Sequence, residues 1–223
     1  MTSKPTLLYF PARGRAEVIR LLLAEIGLDH AEHPVGRGTP PVGGRPTDLA
    51  ELAAAGSLPF GAVPVWEEPD GLRLAQSAAI ANYLARRHGL RGQDALEEAR
   101  CDEWLGAIED VRTELRKLAT AAPEARAAVR AGLVEQTLPR WTAALDRLLR
   151  ANRGGQGFAV GAGLTVADLA LWYLLESLRD NGFEAAVDRH PALVAFAARI
   201  AARERIAAYL ASPRRPAFTP LPR

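Results

Sequence analysis

The spacing of hydrophobic residues along the chain changes near residue 88. Before that point, short apolar runs of strand length alternate with helix-period segments, and glycine and proline separate them. After it, apolar residues recur every three or four positions over long stretches, which is typical of amphipathic helices. The pattern therefore predicts a mixed α/β domain at 1–88, a linker at 89–94 and an all-helical domain at 95–223.

The first domain begins with Thr6–Phe10, an apolar run typical of a buried strand. Helix-spaced apolar residues follow and stop at Gly27, a residue that suits the left-handed conformation at a helix end. A second strand is predicted at about 30–35. A strand–helix–strand order of this kind implies a parallel pair of strands joined by a crossover.

The rest of the first domain predicts a helix at 47–55, a hairpin and a last helix at 77–87. Apolar runs on either side of Asp70–Gly71 indicate the hairpin, because this dipeptide favours a tight turn. The segment 36–48 is rich in glycine and proline and predicts an irregular loop. The resulting order is βαβαββα, a small mixed sheet with helices packed on it.

The second domain predicts helices at about 94–119, 124–151, from 165 onwards, 191–200 and 203–211. Thr165 and Asp168 have the spacing of a capping box with aspartate in place of the usual glutamate, and Leu164 and Leu169 have that of a hydrophobic staple. The proline-rich tail from Pro213 is expected to be extended.

Composition narrows the class of protein. The net charge is +2, and cations and anions are interspersed, which argues against a nucleic-acid partner. No apolar run is long enough to span a bilayer, and no signal peptide is evident, so a membrane partner is not expected. A single cysteine, Cys101, fits the reducing cytoplasm. The four histidines lack ligand spacing, so no metal site is predicted.

Five segments resemble, in the right order, the tyrosine-type cytosolic glutathione transferases of the alpha, mu, pi and sigma classes. They are Tyr9–Glu17, Leu58–Pro64, Leu74–Ile80, Glu109–Arg112 and Thr165–Leu169. The resemblance implies a thioredoxin-like N-terminal domain, an all-helical bundle as C-terminal domain, a homodimer and glutathione as co-substrate. The general pattern of the sequence favours the sigma or pi classes within this group.

Tyr9 ends the first predicted strand, where a tyrosine is also an ordinary strand residue. The resemblance implies that its hydroxyl donates a hydrogen bond to the glutathione sulfur, with Arg15 supporting the thiolate. A free thiol has a pKa near 8.5, and lowering it by about two units takes roughly 3 kcal/mol. Hydrogen bonds to charged groups contribute about 1.5–3 kcal/mol each, so Tyr9 and one helper suffice. Arg15 is otherwise a surface residue or a partner of Glu17 or Glu67, and Arg13 is a weaker candidate.

Further residues are assigned to glutathione by the resemblance. A cis bond at Val63–Pro64 is expected to let Val63 pair with the cysteinyl backbone. Gln76 and Ser77 begin a helix, whose amino end favours the γ-glutamyl carboxylate; Ser77 can equally be a helix cap. Asp110 is implied to reach the glutathione of the partner subunit, although an exposed carboxylate at that position needs no ligand.

The pocket for the electrophile is expected to use Phe10 and Ala12 from the first loop together with helical positions. Those positions are Trp104, Val111 and Thr120. Helical spacing also places Trp104 on an apolar face, where a core residue is the commoner outcome.

The family pattern fails at one end of glutathione. Tyrosine-type relatives usually hold the glycyl carboxylate with a tryptophan and a lysine, and residues 36–60 contain neither. Arg37 and Arg45 are the cations there, and Arg45 is the candidate substitute. The leading function is conjugation of glutathione to small electrophiles, an enzyme activity. Glutathione-dependent isomerisation or peroxide reduction, and a non-catalytic ligand-binding or structural role, are the alternatives.

Overall fold

A computed structural model describes residues 4–36 and 47–222. Contacts divide the chain into two compact units. The first comprises Met1–His88 with Arg203–Thr219, and the second comprises Gly89–Ala202 with Pro220–Arg223. The segment 203–219 therefore packs with the first unit, although its helical texture resembles the second. The predicted domain boundaries at 88 and 95 stay a prediction.

The first unit has a four-stranded sheet. Its strands are β1 (Thr6–Tyr9), β2 (Ala31–Pro34), β3 (Val65–Glu67) and β4 (Arg73–Ala75), in the spatial order β2-β1-β3-β4. The β1–β2 pair is parallel, whereas β1–β3 and β3–β4 are antiparallel. The helices between them are α1 (Glu17–Ile26), α2 (Leu49–Ala54) and α3 (Ser77–Arg87). The predicted βαβαββα order is confirmed.

Helix α1 shows why the local sequence forms these elements. Ile19, Leu22 and Leu23 recur at helical spacing and are fully or almost fully buried. The helix stops at Gly27, whose φ of 69° is left-handed and lets its amide bond back to Leu23 and Ala24. A residue with a Cβ is strained in that conformation, so the glycine fixes where α1 ends.

The second unit is helical. Its helices are α4 (Ala95–Thr120), α5 (Arg126–Gly132), α6 (Leu138–Ala151), α7 (Val166–Asp180), α8 (Glu184–Asp188) and α9 (Pro191–Ala201). A last helix, α10 (Glu204–Leu210), belongs to the first unit. None of the helices in the described part of the chain has the length and apolar character needed to cross a bilayer.

Two details of the helical unit differ from the predicted pattern. The single helix expected at 124–151 is interrupted by a wide turn of π-helix at Leu133–Thr137. Pro139 follows, and a proline ring clashes with the carbonyl four residues earlier, which favours a break there. Helix α8 was not predicted, because five residues are too few to show a helical period.

The core of the helical unit forms between α4 and α7. One apolar stripe of α4 is buried at Cys101, Trp104, Ile108, Val111, Leu115 and Leu118. Asp168 is the third residue of α7 and is fully buried. Its Oδ2 accepts hydrogen bonds from the Thr165 amide at 2.7 Å and the Thr165 hydroxyl at 2.9 Å, so the predicted capping box is confirmed. Burial raises the pKa of Asp168 to about 6, although its hydrogen bonds oppose that shift.

Candidate active site

One end of the sheet in the first unit brings the predicted site residues together. Leu8 pairs with Val65, and Val65 pairs with Ala75. Extending this antiparallel register by one residue places Tyr9, Pro64 and Gln76 in a row. Neighbouring strands lie about 4.8 Å apart, so the two outer residues of this row are separated by roughly 10 Å along the sheet.

Tyr9 lies at the centre of the arrangement. Its side chain is 7% exposed, and its hydroxyl accepts a hydrogen bond from the backbone amide of Arg15 at 2.8 Å. One lone pair of the hydroxyl oxygen therefore accepts this bond from the loop, and the hydroxyl hydrogen stays available for another acceptor. The arginine contributes to this contact through its backbone.

Gly14 allows the loop to approach the Tyr9 ring. It has a φ of 45°, and a Cβ at this position would lie 2.5 Å from the Tyr9 hydroxyl oxygen. Because the loop passes directly over the hydroxyl, the backbone next to Arg15 has room for glycine and no larger residue.

Arg20 supports the same loop from α1. Its Nη1 donates to the carbonyl of Ala12 at 2.7 Å, and its Nε and Nη2 donate to the Glu32 carboxylate at 2.8 and 3.1 Å. Its guanidinium carbon is 5.7 Å from the centre of the Tyr9 ring. Burial opposes the charge on Arg20, but its hydrogen bonds to Glu32 and the attraction of the neighbouring Glu32 and Glu17 carboxylates together raise the pKa, so a permanent cation lies beside the tyrosine.

The other end of the row is the start of α3. The Val63–Pro64 bond is cis, as the sequence context predicted. Gln76 has a φ of 72°, a left-handed value that is uncommon for a residue other than glycine. It is exposed, and within the described structure its side chain makes no capping hydrogen bond. Such strain at a non-glycine residue is typical of functional sites.

Comparison with known proteins agrees with this arrangement. Residues 15–87 match the model of the glutathione S-transferase N-terminal domain, and residues 109–213 match that of the C-terminal domain. Rat glutathione S-transferase alpha-2 is 36% identical over 98% of this chain and 94% of its own length. Human glutathione S-transferase A3 is 34% identical over 97% and 93%.

The chain belongs to the glutathione S-transferase family.

Solved structures of the family have the same fold. A Pi-class glutathione S-transferase of Onchocerca volvulus superposes with a TM-score of 0.80, at 23% identity and with 94% and 92% of the two chains covered. NaGST-2 superposes with a TM-score of 0.75, at 27% identity and 93% and 95% coverage. The predicted thioredoxin-like domain and helical C-terminal domain are confirmed. The curated relatives named above carry alpha-class names, whereas sequence texture favoured the sigma or pi side.

The remaining predicted site residues of the glutathione S-transferase lie in varied surroundings. Phe10 is partly exposed beside the Tyr9 ring, and Ala12 and Ser77 are half-buried. Asp110 and Thr120 are exposed on α4. Trp104 and Val111 are buried in the core of the helical unit, as the core alternative for Trp104 expected. Arg37 and Arg45 lie outside the described residues. As glutathione or electrophile contacts, all of these stay predictions.

The sequence interpretation missed the support of the loop. Gly14, Glu17 and Arg20 were not assigned a role, yet each contacts Tyr9 or the segment around Arg15. A signal for two of them is visible in the sequence. Glu17 and Arg20 lie three residues apart on the side of α1 that also carries Ala16 and Ile19, so the apolar face contains a charge pair. In the described part of the chain, no group of three potential ligand side chains is placed to hold a metal ion.

Proposed function

We propose that this glutathione transferase conjugates the glutathione thiolate to small electrophiles, with Tyr9 as the residue that activates the thiol. The observation that carries the proposal is the hydrogen bond from the Arg15 amide to the Tyr9 hydroxyl. It fixes the position of the hydroxyl and leaves its hydrogen available for the sulfur. A donor that is already in place loses no free energy to reorganisation during the reaction.

The surrounding charges favour the same role. The Arg20 cation lies against the Tyr9 ring, and a positive charge nearby makes the hydroxyl a better donor to an anion. Two hydrogen bonds to a thiolate, at about 1.5–3 kcal/mol each, cover the roughly 3 kcal/mol needed to lower a thiol pKa by about two units. The side chain of Arg15 is the proposed second contributor.

The glutamyl end of glutathione is proposed to lie at the start of α3. The first amides of an 11-residue helix point toward its amino end, where a carboxylate is favoured. Gln76 has a left-handed backbone, is exposed and makes no side-chain capping hydrogen bond in the described structure, so its side chain is proposed to bind the glutamyl group. With Val63 contacting the cysteinyl part, the proposed binding order along glutathione is Tyr9, Val63, then Gln76 and Ser77.

Replacing Tyr9 by phenylalanine tests the mechanism. We expect Tyr9→Phe to lower turnover about ten- to a hundredfold at pH values below the thiol pKa of both the wild type and the variant, since one of the two proposed hydrogen bonds is lost, which is about 1.5–3 kcal/mol or about one to two pKa units. The loss of turnover should shrink as pH rises, because the thiol of glutathione bound to the variant then ionises without help from Tyr9. The measurement is kcat against pH with a generic aryl halide at saturating glutathione.

Tyr83→Phe is the matched control, because that hydroxyl donates to Glu68 in the same unit. It should leave the pH profile of turnover unchanged. Full activity in Tyr9→Phe would contradict the proposed role of Tyr9.

A second candidate function follows from the missing tryptophan and lysine in 36–60. The absence of these two residues is consistent with a protein that binds glutathione weakly, or that binds ligands without catalysing a reaction. Retention on immobilised glutathione combined with an assay for conjugation, isomerisation and peroxide reduction separates the possibilities. Binding without turnover would favour the non-catalytic role, and Arg45→Ala would then test whether Arg45 holds the glycyl carboxylate.

We also propose a homodimer in which Asp110 reaches the glutathione of the partner subunit. Asp110 is exposed on α4, and Phe60, four residues before the cis proline, is 70% exposed. A large aromatic side chain so exposed is typical of an interface. Light scattering should give the mass of a dimer for the wild type and a larger share of monomer for Phe60→Ser. A monomeric wild type would contradict the proposal.

A further inference from the structure

The loop that carries the Arg15 amide is held by a distant part of the chain, residues 209–218, which we call the C-terminal strap. The strap consists of the last two residues of α10 and the segment after them, and it belongs to the first unit. It contacts the loop and the start of α1 through polar and charged groups. These contacts are hydrogen bonds, which constrain the orientation of the two groups as well as their distance.

The first anchor of the strap is Glu17, the first residue of α1. Its carboxylate is fully buried. Oε1 accepts a hydrogen bond from Nε of Arg215 at 2.8 Å, and Oε2 accepts one from the Tyr209 hydroxyl at 3.1 Å. Burial and the neighbouring Glu17 raise the pKa of Tyr209, so its hydroxyl stays protonated and donates. Both carboxylate oxygens of Glu17 are therefore occupied by strap residues.

The second anchor is Arg13. Its Nε donates to the backbone carbonyl of Pro216 at 3.0 Å, and its guanidinium carbon is 5.6 Å from the centre of the Phe218 ring. Arg13 is two residues before Arg15, and Glu17 is two residues after it. The strap therefore fixes the loop on both sides of the amide that donates to Tyr9.

The charges around this segment form one connected cluster. Arg20 lies 3.9 Å from Glu17 Oε2, binds Glu32 and donates to the Ala12 carbonyl. Apolar packing alone would hold the strap against α1 without fixing its direction. The paired charges favour one arrangement of the strap, because breaking a buried pair leaves a charge without its partner, which is strongly destabilising.

We propose that Glu17 is a positioning residue for thiol activation, and that the C-terminal strap acts through Glu17 and Arg13 to hold the Arg15 amide against the Tyr9 hydroxyl. This inference rests on the proposed function of Tyr9. It assigns to the strap an effect on the reacting sulfur that is transmitted only through Tyr9, with no contact between the strap and glutathione required.

Arg215→Gln tests the inference, with Arg214→Gln as the matched control. The two arginines are adjacent, and Arg214 is exposed, so the charge change is the same while the Glu17 contact is lost in only one variant. The measurement is kcat against pH at saturating glutathione, together with the KM for glutathione and thermal unfolding.

We expect Arg215→Gln to raise the pKa of the bound thiol by about one unit. At pH values below the thiol pKa of both the wild type and the variant, turnover should fall roughly tenfold, and it should be restored at high pH. The KM for glutathione should change little, and Arg214→Gln should match the wild type. Tyr209→Phe, which keeps the packing of the ring and removes only the hydroxyl, should shift the profile in the same direction by less. This milder variant keeps the test informative if Arg215→Gln folds poorly.

Combination with Tyr9→Phe separates a failure of this inference from a failure of the proposed function. If the strap acts through Tyr9, adding Arg215→Gln to Tyr9→Phe should leave the pH profile of Tyr9→Phe unchanged. Additive losses, a loss of equal size at every pH, or an Arg215→Gln profile equal to that of Arg214→Gln would overturn the role of the strap. Wild-type activity in Tyr9→Phe itself would instead overturn the proposed function.

Discussion

The two units bury polar groups in different ways. In the first unit, Glu17 and Arg20 connect segments far apart in the chain, namely the loop after β1, strand β2 and the C-terminal strap. In the helical unit, two of the buried polar side chains bond within or next to their own helix, although Asp168 also accepts a hydrogen bond from the Ala159 amide nine residues earlier. Asp168 caps α7, and the Thr142 hydroxyl donates to the Leu138 carbonyl one turn earlier.

This difference indicates a division of physical tasks. The helical unit has an apolar core between α4 and α7, where burial of side chains supplies stability without fixing the position of any single polar atom. The first unit uses part of its interior to fix the position of one hydroxyl to within the tolerance of a hydrogen bond. Substitutions in the two units should therefore affect different measurements, which the following predictions test.

The largest expected effect is in the apolar core of the helical unit. Trp104 is among the largest fully buried side chains, and we expect Trp104→Ala to lower the free energy of unfolding by about 3–5 kcal/mol. Urea unfolding measures this, and Leu96→Ala, at an exposed position of the same helix, is the control. A small loss of stability with a changed preference for electrophiles would instead assign Trp104 to the substrate pocket.

A smaller, pH-dependent effect is expected at Asp168. Asp168→Asn should cost roughly 1–3 kcal/mol at neutral pH, because buried amides lose a charged acceptor. The pKa of Asp168 is about 6 in the folded protein, above its ordinary value of 3.8, so the folded state binds the proton more tightly. The wild type therefore gains stability as pH falls through this window, and it loses that gain as pH rises past 6.

The cost of Asp168→Asn should then be larger near pH 5 than near pH 7 by about 1 kcal/mol, as linkage of protonation to folding requires. Chemical unfolding of both proteins at the two pH values measures it. A cost that is the same at both values would mean that Asp168 titrates alike in the folded and unfolded states.

In the first unit, Gly14→Ala should affect activity more than stability. A Cβ there would displace the Tyr9 hydroxyl and break its contact with the Arg15 amide, so we expect roughly a tenfold loss of turnover, the equivalent of about 1.4 kcal/mol. The left-handed backbone adds a stability cost of about 1 kcal/mol, because the Cβ of alanine is crowded by the following carbonyl oxygen in that conformation.

Gly56→Ala provides the control for Gly14→Ala, since Gly56 also has a left-handed φ but has nothing within 4 Å of an added Cβ. It should show the stability cost without the loss of turnover. Equal turnover in Gly14→Ala and Gly56→Ala would show that crowding of the Tyr9 hydroxyl does not affect catalysis.

The smallest effect is expected at a surface ion pair of the helical unit. Arg150 donates to Asp146 one turn away on α6, and its side chain is half exposed. Arg150→Ala should change the free energy of unfolding by no more than about 0.5 kcal/mol, because exposed pairs are screened by water and salt. A cost of several kcal/mol would show that surface charges also hold this unit together.

Local sequence signals predicted much of the fold. The glycine at the end of α1, the turn signal in the hairpin and the capping box of α7 each specify a short segment through its own residues. Helix α3 begins and ends where its apolar spacing placed it, at Ser77 and Arg87. The π-turn before α6 and the packing of 203–219 on the first unit were not predicted, because both depend on contacts and strain that periodicity does not report.

The candidate site divides in the same way. Tyr9, the cis bond at Val63–Pro64 and the helix start at Gln76 were identified from short motifs. Glu17 was considered only as a partner of Arg15, and its actual partners, Tyr209 and Arg215, were not predicted because they lie almost the whole chain away. A buried charge is recognised only when its partners are known, and sequence distance hides them.

The order of synthesis gives the C-terminal strap a further consequence. Tyr209 is made 192 residues after Glu17, so the carboxylate at the start of α1 has neither of its strap partners while most of the chain is still being translated. Under the proposed role of the C-terminal strap, the loop around Arg15 reaches its final arrangement only when residues 209–218 have emerged from the ribosome. A nascent chain stalled before that point would carry Tyr9 in a folded sheet without the backbone support that fixes its hydroxyl.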